Sequence, residues 1–207
     1  TLNEENRYVL TQQTTRSIYW RNVFAPTVEY QFGPDSRIGL NYRNNIYETK
    51  AADGDNSQEN YINPFFTYWF DRKNGISLEY GYTKGDFDIQ SDMTAHMGRG
   101  RYTNRFSPRS SVFVEHTYTK RTFDLDVLDY EINEPSIGLT YAFSPGLISS
   151  VQVGYYWMDP EYGKKEDGLT YKGSLTTIDK EARTTIYLSF QGGYTEDYFT
   201  AGNAGFT

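Results

Sequence analysis

Three arginines lie close together at even spacing: Arg99, Arg101 and Arg105 are two and four positions apart. In a β-strand, side chains at even separations point to the same face. A guanidinium stays charged and carries five N–H donors in a rigid fork, so such a row can attract or repel charged solutes. Glu79 and Glu115 occupy the corresponding polar faces of the neighbouring segments. This pattern is typical of a charged pore wall, although cross-strand pairs that only satisfy charge in a wet lumen would look the same. The predicted pore-lining residues are Arg37, Arg43, Glu79, Arg99, Arg101, Arg105 and Glu115.

Catalytic chemistry has little support in the sequence. The two histidines are His96, in a predicted loop, and His116, on a predicted apolar face. There is no Gly-x-Ser-x-Gly elbow, no His-x-x-x-His pair and no phosphate-binding glycine loop. The acidic run at 53–59 lacks the glycine and the final glutamate of a calcium loop. We therefore predict no enzyme, no metal site and no cofactor.

The segment that carries the clearest structural signal is "SIGLTYAFSPGLISSVQVGYYW", residues 136–157. Large apolar residues alternate with mostly small or polar ones on both sides of Ser-Pro-Gly, which predicts a β-hairpin with one apolar and one polar face. The same form recurs as "IGLNY" at 38–42 and "ISLEY" at 76–80. Tight-turn signals return about every 36 residues, and longer polar stretches separate them.

This repeat predicts an all-β, up-and-down antiparallel barrel of about ten long strands. We expect residues 1–16 to be an N-terminal segment and residues 17–207 to form a single barrel domain. The predicted strands are 17–32, 37–48, 60–70, 76–86, 98–107, 110–123, 131–143, 147–158, 169–178 and 183–195.

The apolar stripes could face either a soluble core or lipid. The chain has 207 residues, a net charge of −7, 17% aromatic residues and no cysteine. No apolar run approaches the roughly 20 residues of a membrane-spanning helix, whereas the strands reach the ~9–11 residues of a tilted β-crossing. Aromatic residues near the ends of the stripes indicate the girdles of a membrane barrel. The alternative is a soluble β-domain with the opposite polarity. The predicted girdle comprises Phe32, Tyr42, Phe70, Tyr80, Phe106, Tyr118, Phe143 and Trp157.

Several segments resemble a known group of proteins: "NVFAPTVEYQF" at 22–32, "SRIGLNYR" at 36–43, "SPRSSVFVEHTYTKRTFD" at 107–124 and "PSIGLTYAFSPGLISSVQVGYY" at 135–156. They are similar to outer-membrane β-barrel proteins of the exopolysaccharide/PEP-CTERM-associated and beta-barrel porin type 2 group. The resemblance implies a Gram-negative outer membrane and contact with lipid and lipopolysaccharide. A polysaccharide or a periplasmic secretion component is a further possible partner. The acidic balance argues against nucleic acid.

Two functions follow as expectations: a porin-like passive channel for polar solutes or exported polysaccharide, and a barrel scaffold that docks or sheathes a secretion or electron-transfer partner. If the tight turns are periplasmic, ten strands leave both ends of the chain on the outer side. Bacterial barrels normally keep both termini in the periplasm, so we expect a larger barrel of about 12 to 18 strands. The alternative is a ten-stranded barrel whose ends pack in the lumen.

Overall fold

The computed structural model describes residues 19–49, 56–124, 129–144, 146–179 and 184–193, and these contain no helix. Among the described residues, therefore, no helix is long and apolar enough to span a membrane. The strands are β1 Tyr19–Phe24, β2 Thr27–Gln31, β3 Arg37–Thr49, β4 Ser57–Trp69, β5 Asn74–Phe87, β6 Met93–Ser107, β7 Ser110–Phe123, β8 Tyr130–Ser144, β9 Leu147–Pro160, β10 Glu166–Asp179 and β11 Thr184–Gly192.

All of these strands belong to one antiparallel sheet in which, from β3 to β11, each strand pairs with the next in sequence. β1 and β2 both pair with β3, and together they replace the single predicted strand 17–32. The break falls at Ala25 and Pro26, because proline has no N–H for the ladder. β1 and β11 are the two edges of the described sheet and do not pair with each other. The described strands thus form an open part of an up-and-down barrel wall.

The connections at the two ends of the sheet differ in kind. One end, here called the turn end, carries the short connections after β2, β4, β6, β8 and β10. The opposite end, the loop end, carries the connections after β3, β5, β7 and β9. The predicted loops there are too long: β5 continues to Phe87, β6 begins at Met93, and β4 begins at Ser57. His96 and Glu59 consequently lie in strands rather than in loops. The start of β4 carries polar residues on both faces, and at the start of β6 the alternation is reversed, with Met93 and Ala95 buried on the face that carries Arg99. The pattern that reveals a strand is therefore lost at these ends.

Side-chain burial shows how the sheet is curved. Among the described residues, no second layer of structure covers the sheet, yet polar side chains are buried, and Asn45, Glu59 and Thr83 are each only 2% exposed. The sheet curls around the face that carries them, which we call the concave face. The same face also holds the buried apolar and aromatic residues Met93, Ala95, Phe113, Ile132 and Tyr156. The opposite, convex face exposes apolar side chains such as Leu78, Ile137 and Val153.

This arrangement inverts the polarity of a soluble β-domain, whose apolar face would be inside. A polar inner face and an apolar outer face are the polarity of a membrane β-barrel. The prediction of an all-β, antiparallel up-and-down barrel is thereby confirmed. Residues 1–16 lie outside the described part of the chain, so the predicted division at residue 17 stays a prediction.

Candidate functional site: the charged concave wall

The register of the strands brings the predicted pore-lining residues to one face. Arg37, Arg101 and Glu115 occupy a single cross-strand row, linked through Thr67 and Ser77. The next row toward the loop end contains Glu79 opposite Arg99. All members of the predicted set lie on the concave face: Arg37, Arg43, Glu79, Arg99, Arg101, Arg105 and Glu115.

Ion pairs connect these residues across neighbouring strands. Arg101 donates to Oε2 of Glu115 from Nε at 2.7 Å and from Nη2 at 2.6 Å. Arg99 forms an ion pair with Glu79. Near the turn end, Arg37 Nη1 lies 3.3 Å from Glu29 Oε2. Each pair is almost neutral as a whole, so its influence on a solute depends on which partner faces the lumen.

The two pairs at the centre of the wall have a common orientation. The Arg101 side chain is 35% exposed, whereas that of Glu115 is only 5% exposed. For Arg99 and Glu79 the values are 36% and 26%. The Arg101 guanidinium therefore stands toward the lumen while the Glu115 carboxylate lies against the wall, and Arg99 is likewise more exposed than Glu79, which is itself partly exposed. Over distances comparable to the pair itself, this orientation presents positive potential to the lumen.

Aromatic rings support several of the arginines from below. The guanidinium carbon of Arg101 lies 4.1 Å from the centre of the Phe113 ring, and that of Arg105 lies 3.6 Å from the Trp69 ring. Phe113 in turn lies over Gly138, where an added Cβ would approach its Cζ to 2.2 Å. A glycine backbone, a ring and a guanidinium thus form a stack that fixes the position of the charge. The ring face in such a stack is already covered and is closed to a sugar.

Several polar residues of the concave face were not predicted from the sequence. Near the loop end, Arg21 Nε donates to Asn45 Oδ1 at 2.9 Å, and Asn45 contacts the buried Glu59. On the same face but nearer the β11 edge of the sheet, Glu134 accepts a hydrogen bond from Thr170 at 2.8 Å and lies 3.7 Å from Lys172 Nζ. Their even spacing from recognised inward positions was an available signal within the predicted strands, and only Glu59 required a strand to be extended into a polar stretch.

The predicted girdle residues lie on the opposite face. Phe70, Phe106 and Phe143 are exposed near the turn end. Tyr80, Tyr118 and Trp157 follow one cross-strand row nearer the loop end. Phe32 and Tyr42 share this convex side, with Phe32 exposed and Tyr42 in edge-to-face contact with Phe24.

The histidines lie on the convex face. His116 is exposed beside Val114, and Nδ1 of His96 lies 2.6 Å from the Tyr80 hydroxyl. In the described part of the chain, no group of three or more histidine, cysteine, aspartate or glutamate residues could hold a metal ion. Asp53 and Asp55 of the acidic run fall outside the described residues.

Comparisons with known proteins add a structural likeness. No family model matches the chain, and no curated protein matches it either. Among solved structures, the chain is similar to a KdgM porin, with a TM-score of 0.42 and 15% sequence identity over 85% of this chain and 90% of that chain. The resemblance to the exopolysaccharide/PEP-CTERM-associated group stays a prediction.

Proposed function

We propose that this chain forms the wall of an outer-membrane β-barrel that passes polar solutes, or an exported polysaccharide, passively through a water-filled lumen. The observation that carries this proposal is the inverted polarity of the sheet. A concave face of paired charges and amides suits water, and a convex face of apolar side chains suits lipid. On this proposal, outer-membrane lipid and lipopolysaccharide cover the convex face.

The orientation of the central ion pairs gives the channel a direction of selectivity. Because Arg99 and Arg101 are more exposed than Glu79 and Glu115, anions meet a more favourable wall than cations do. Dissolved ions screen charges that face water, so the preference for anions should weaken as the salt concentration rises.

The test is the reversal potential of the intact protein in a planar bilayer under a salt gradient. We expect anion preference in the natural protein and a shift toward cations in Arg99→Gln/Arg101→Gln. Lys84→Gln/Lys120→Gln is the matched control, because it also removes two positive charges, but from exposed side chains on the convex face that pair with Asp86 and Glu131.

An unchanged reversal potential in the arginine variant of a conducting pore would contradict the selectivity argument. A protein that inserts in the bilayer but stays silent would contradict the channel. That result would direct the search to a docked secretion or electron-transfer partner.

A further inference from the structure

The turn between β2 and β3 makes a contact that its position in the sheet does not by itself explain. Asp35 lies in this turn, two residues before β3, yet its Oδ2 is 2.7 Å from Nη1 of Arg105 on β6. β4 and β5 lie between β3 and β6. Neighbouring strands are about 4.8 Å apart, so β3 and β6 would be separated by roughly 14 Å in a flat sheet. The Arg105 side chain extends across β5 as far as Trp69 on β4, and Asp35 meets it there, so the ion pair crosses the concave face at the turn end.

The intervening strands are shaped to allow this contact. At Gly75 on β5, an added Cβ would lie 2.6 Å from Cδ2 of Trp69. Because Gly75 has no side chain, the indole of Trp69 extends over β5. Arg105 then stacks on that indole at 3.6 Å, which holds its guanidinium in reach of Asp35.

The turn is also internally braced. Phe32 N donates to Ser36 O at 3.1 Å, and Gln31 Nε2 donates to the carbonyl oxygens of Gly33 and Pro34 at 2.9 Å each. Ser36 is buried, and its Oγ accepts a hydrogen bond from Trp69 N at 3.1 Å. These hydrogen bonds make the turn one connected unit, with its base at Ser36 attached to β4.

We propose that residues 32–36 form a flap over part of the turn-end mouth, and that the Arg105–Asp35 ion pair holds it there. Asp35, Trp69 and Arg105 then limit the size of solutes that pass this end of the lumen. The size limit rests on the proposed channel function, whereas the held position of the flap does not. The Arg105 and Asp35 side chains are 39% and 48% exposed, so water competes for both partners and the ion pair is weak enough to open.

Two measurements test the held position of the flap and the size limit separately. The chain contains no cysteine, so nitroxide labels placed by Pro34→Cys and Ser111→Cys report the distance from the flap to β7, where Ser111 pairs with Arg105. We expect a short, narrow distance distribution that becomes longer and broader when Asp35→Asn is added. Glu29→Gln is the matched control, since it removes a similarly exposed carboxylate whose partner, Arg37, lies on the neighbouring strand.

The second readout is the largest polyethylene glycol that enters the pore, measured by its effect on single-channel conductance. We expect larger polymers to enter in Asp35→Asn and in Arg105→Gln, with no change in Glu29→Gln. An unchanged label distance in Asp35→Asn would overturn the flap. A longer distance with an unchanged polymer limit would overturn its role in size selection. A silent natural protein whose label distance still lengthens would refute the channel and leave the flap established.

Discussion

Replacing Arg101 with methionine is expected to cost more stability than replacing Glu115 with glutamine, although the two side chains form one ion pair. Glu115 is nearly buried, and without Arg101 its remaining side-chain partner is Gln152, whose Nε2 lies 3.1 Å away. Breaking a buried pair in this way typically costs about 3–5 kcal/mol. Because Arg101 is partly exposed and water can replace it in part, we expect a loss near the lower end, about 3 kcal/mol.

The reciprocal change has a smaller penalty. Glu115→Gln keeps an acceptor oxygen and leaves Arg101 with access to water. The expected loss is that of a typical hydrogen bond, about 1 kcal/mol. Methionine at position 101 preserves apolar contact with the Phe113 ring but removes the cation–π contact, so the difference of about 2 kcal/mol reports the unpaired carboxylate together with that lost contact, and not a packing defect.

The assay is equilibrium urea unfolding in phospholipid vesicles, followed by tryptophan fluorescence. Arg37→Met and Glu29→Gln provide the matched control, because both partners of that pair are exposed and each change should cost less than about 1 kcal/mol. Equal losses for Arg101→Met and Glu115→Gln, or a larger loss for Glu115→Gln, would refute the inference that carboxylates lie against the wall and arginines face the lumen.

Three further outcomes are expected. Gly138→Val should destabilise the barrel by about 1–3 kcal/mol in the same unfolding assay because it collides with Phe113, whereas Gly98→Val, with no atom within 4 Å of the added Cβ, should be tolerated. Leu139→Arg on the exposed convex face should cost about 2–4 kcal/mol, whereas Thr140→Arg on the concave face should cost much less; equal costs would argue against lipid contact. In the turn at 71–74, hydrogen bonds from the Asn74 side chain and from the Lys73 backbone N–H lower the pKa of Asp71. Its stabilising contribution is therefore complete above the usual aspartate pKa and is lost as the pH falls through the lowered value, and Asn74→Ala should raise the pKa observed by NMR titration.

Strict alternation explains why much of the wall was predictable from the sequence. Because side chains of a strand change face at every residue, recognising Ile137 and Leu139 as apolar positions also places their neighbours on the polar face. The same reasoning placed Arg99 and Arg101 together. Turn signals such as Ser-Pro-Gly then set the strand order, since a meander pairs each strand with the next.

The features that the sequence did not reveal depend on how far each strand extends, on the curvature of the sheet and on how deeply each side chain is buried. Glu59 was assigned to a loop because both faces of β4 are polar at its start and no alternation marks the strand there. His96 was assigned to a loop because the alternation at the start of β6 is reversed, with Met93 and Ala95 buried on the concave face. The contact of Asp35 with Arg105 required the curvature of the sheet, which no local pattern encodes. The lumen-facing orientation of the arginines likewise depends on relative burial within a pair, and residue type alone does not show it.

The most direct test of the central claim measures which face of the sheet meets water and which meets lipid. Single cysteines are introduced in turn at 137, 139, 140 and 141 of β8 and at 150, 151, 152, 153 and 155 of β9, and the protein is reconstituted in lipid vesicles. Gly138 and Gly154 are left unchanged, because an added Cβ would lie 2.2 Å from Phe113 and 2.6 Å from Thr170. We predict that positions 140, 150 and 152 react with a water-soluble, membrane-impermeant thiol reagent. Positions 137, 139, 141, 151, 153 and 155 should instead carry fluorophores that a lipid-phase quencher reaches. Uniform labelling, or the reversed alternation, would contradict a barrel with a polar lumen and a lipid-facing apolar wall.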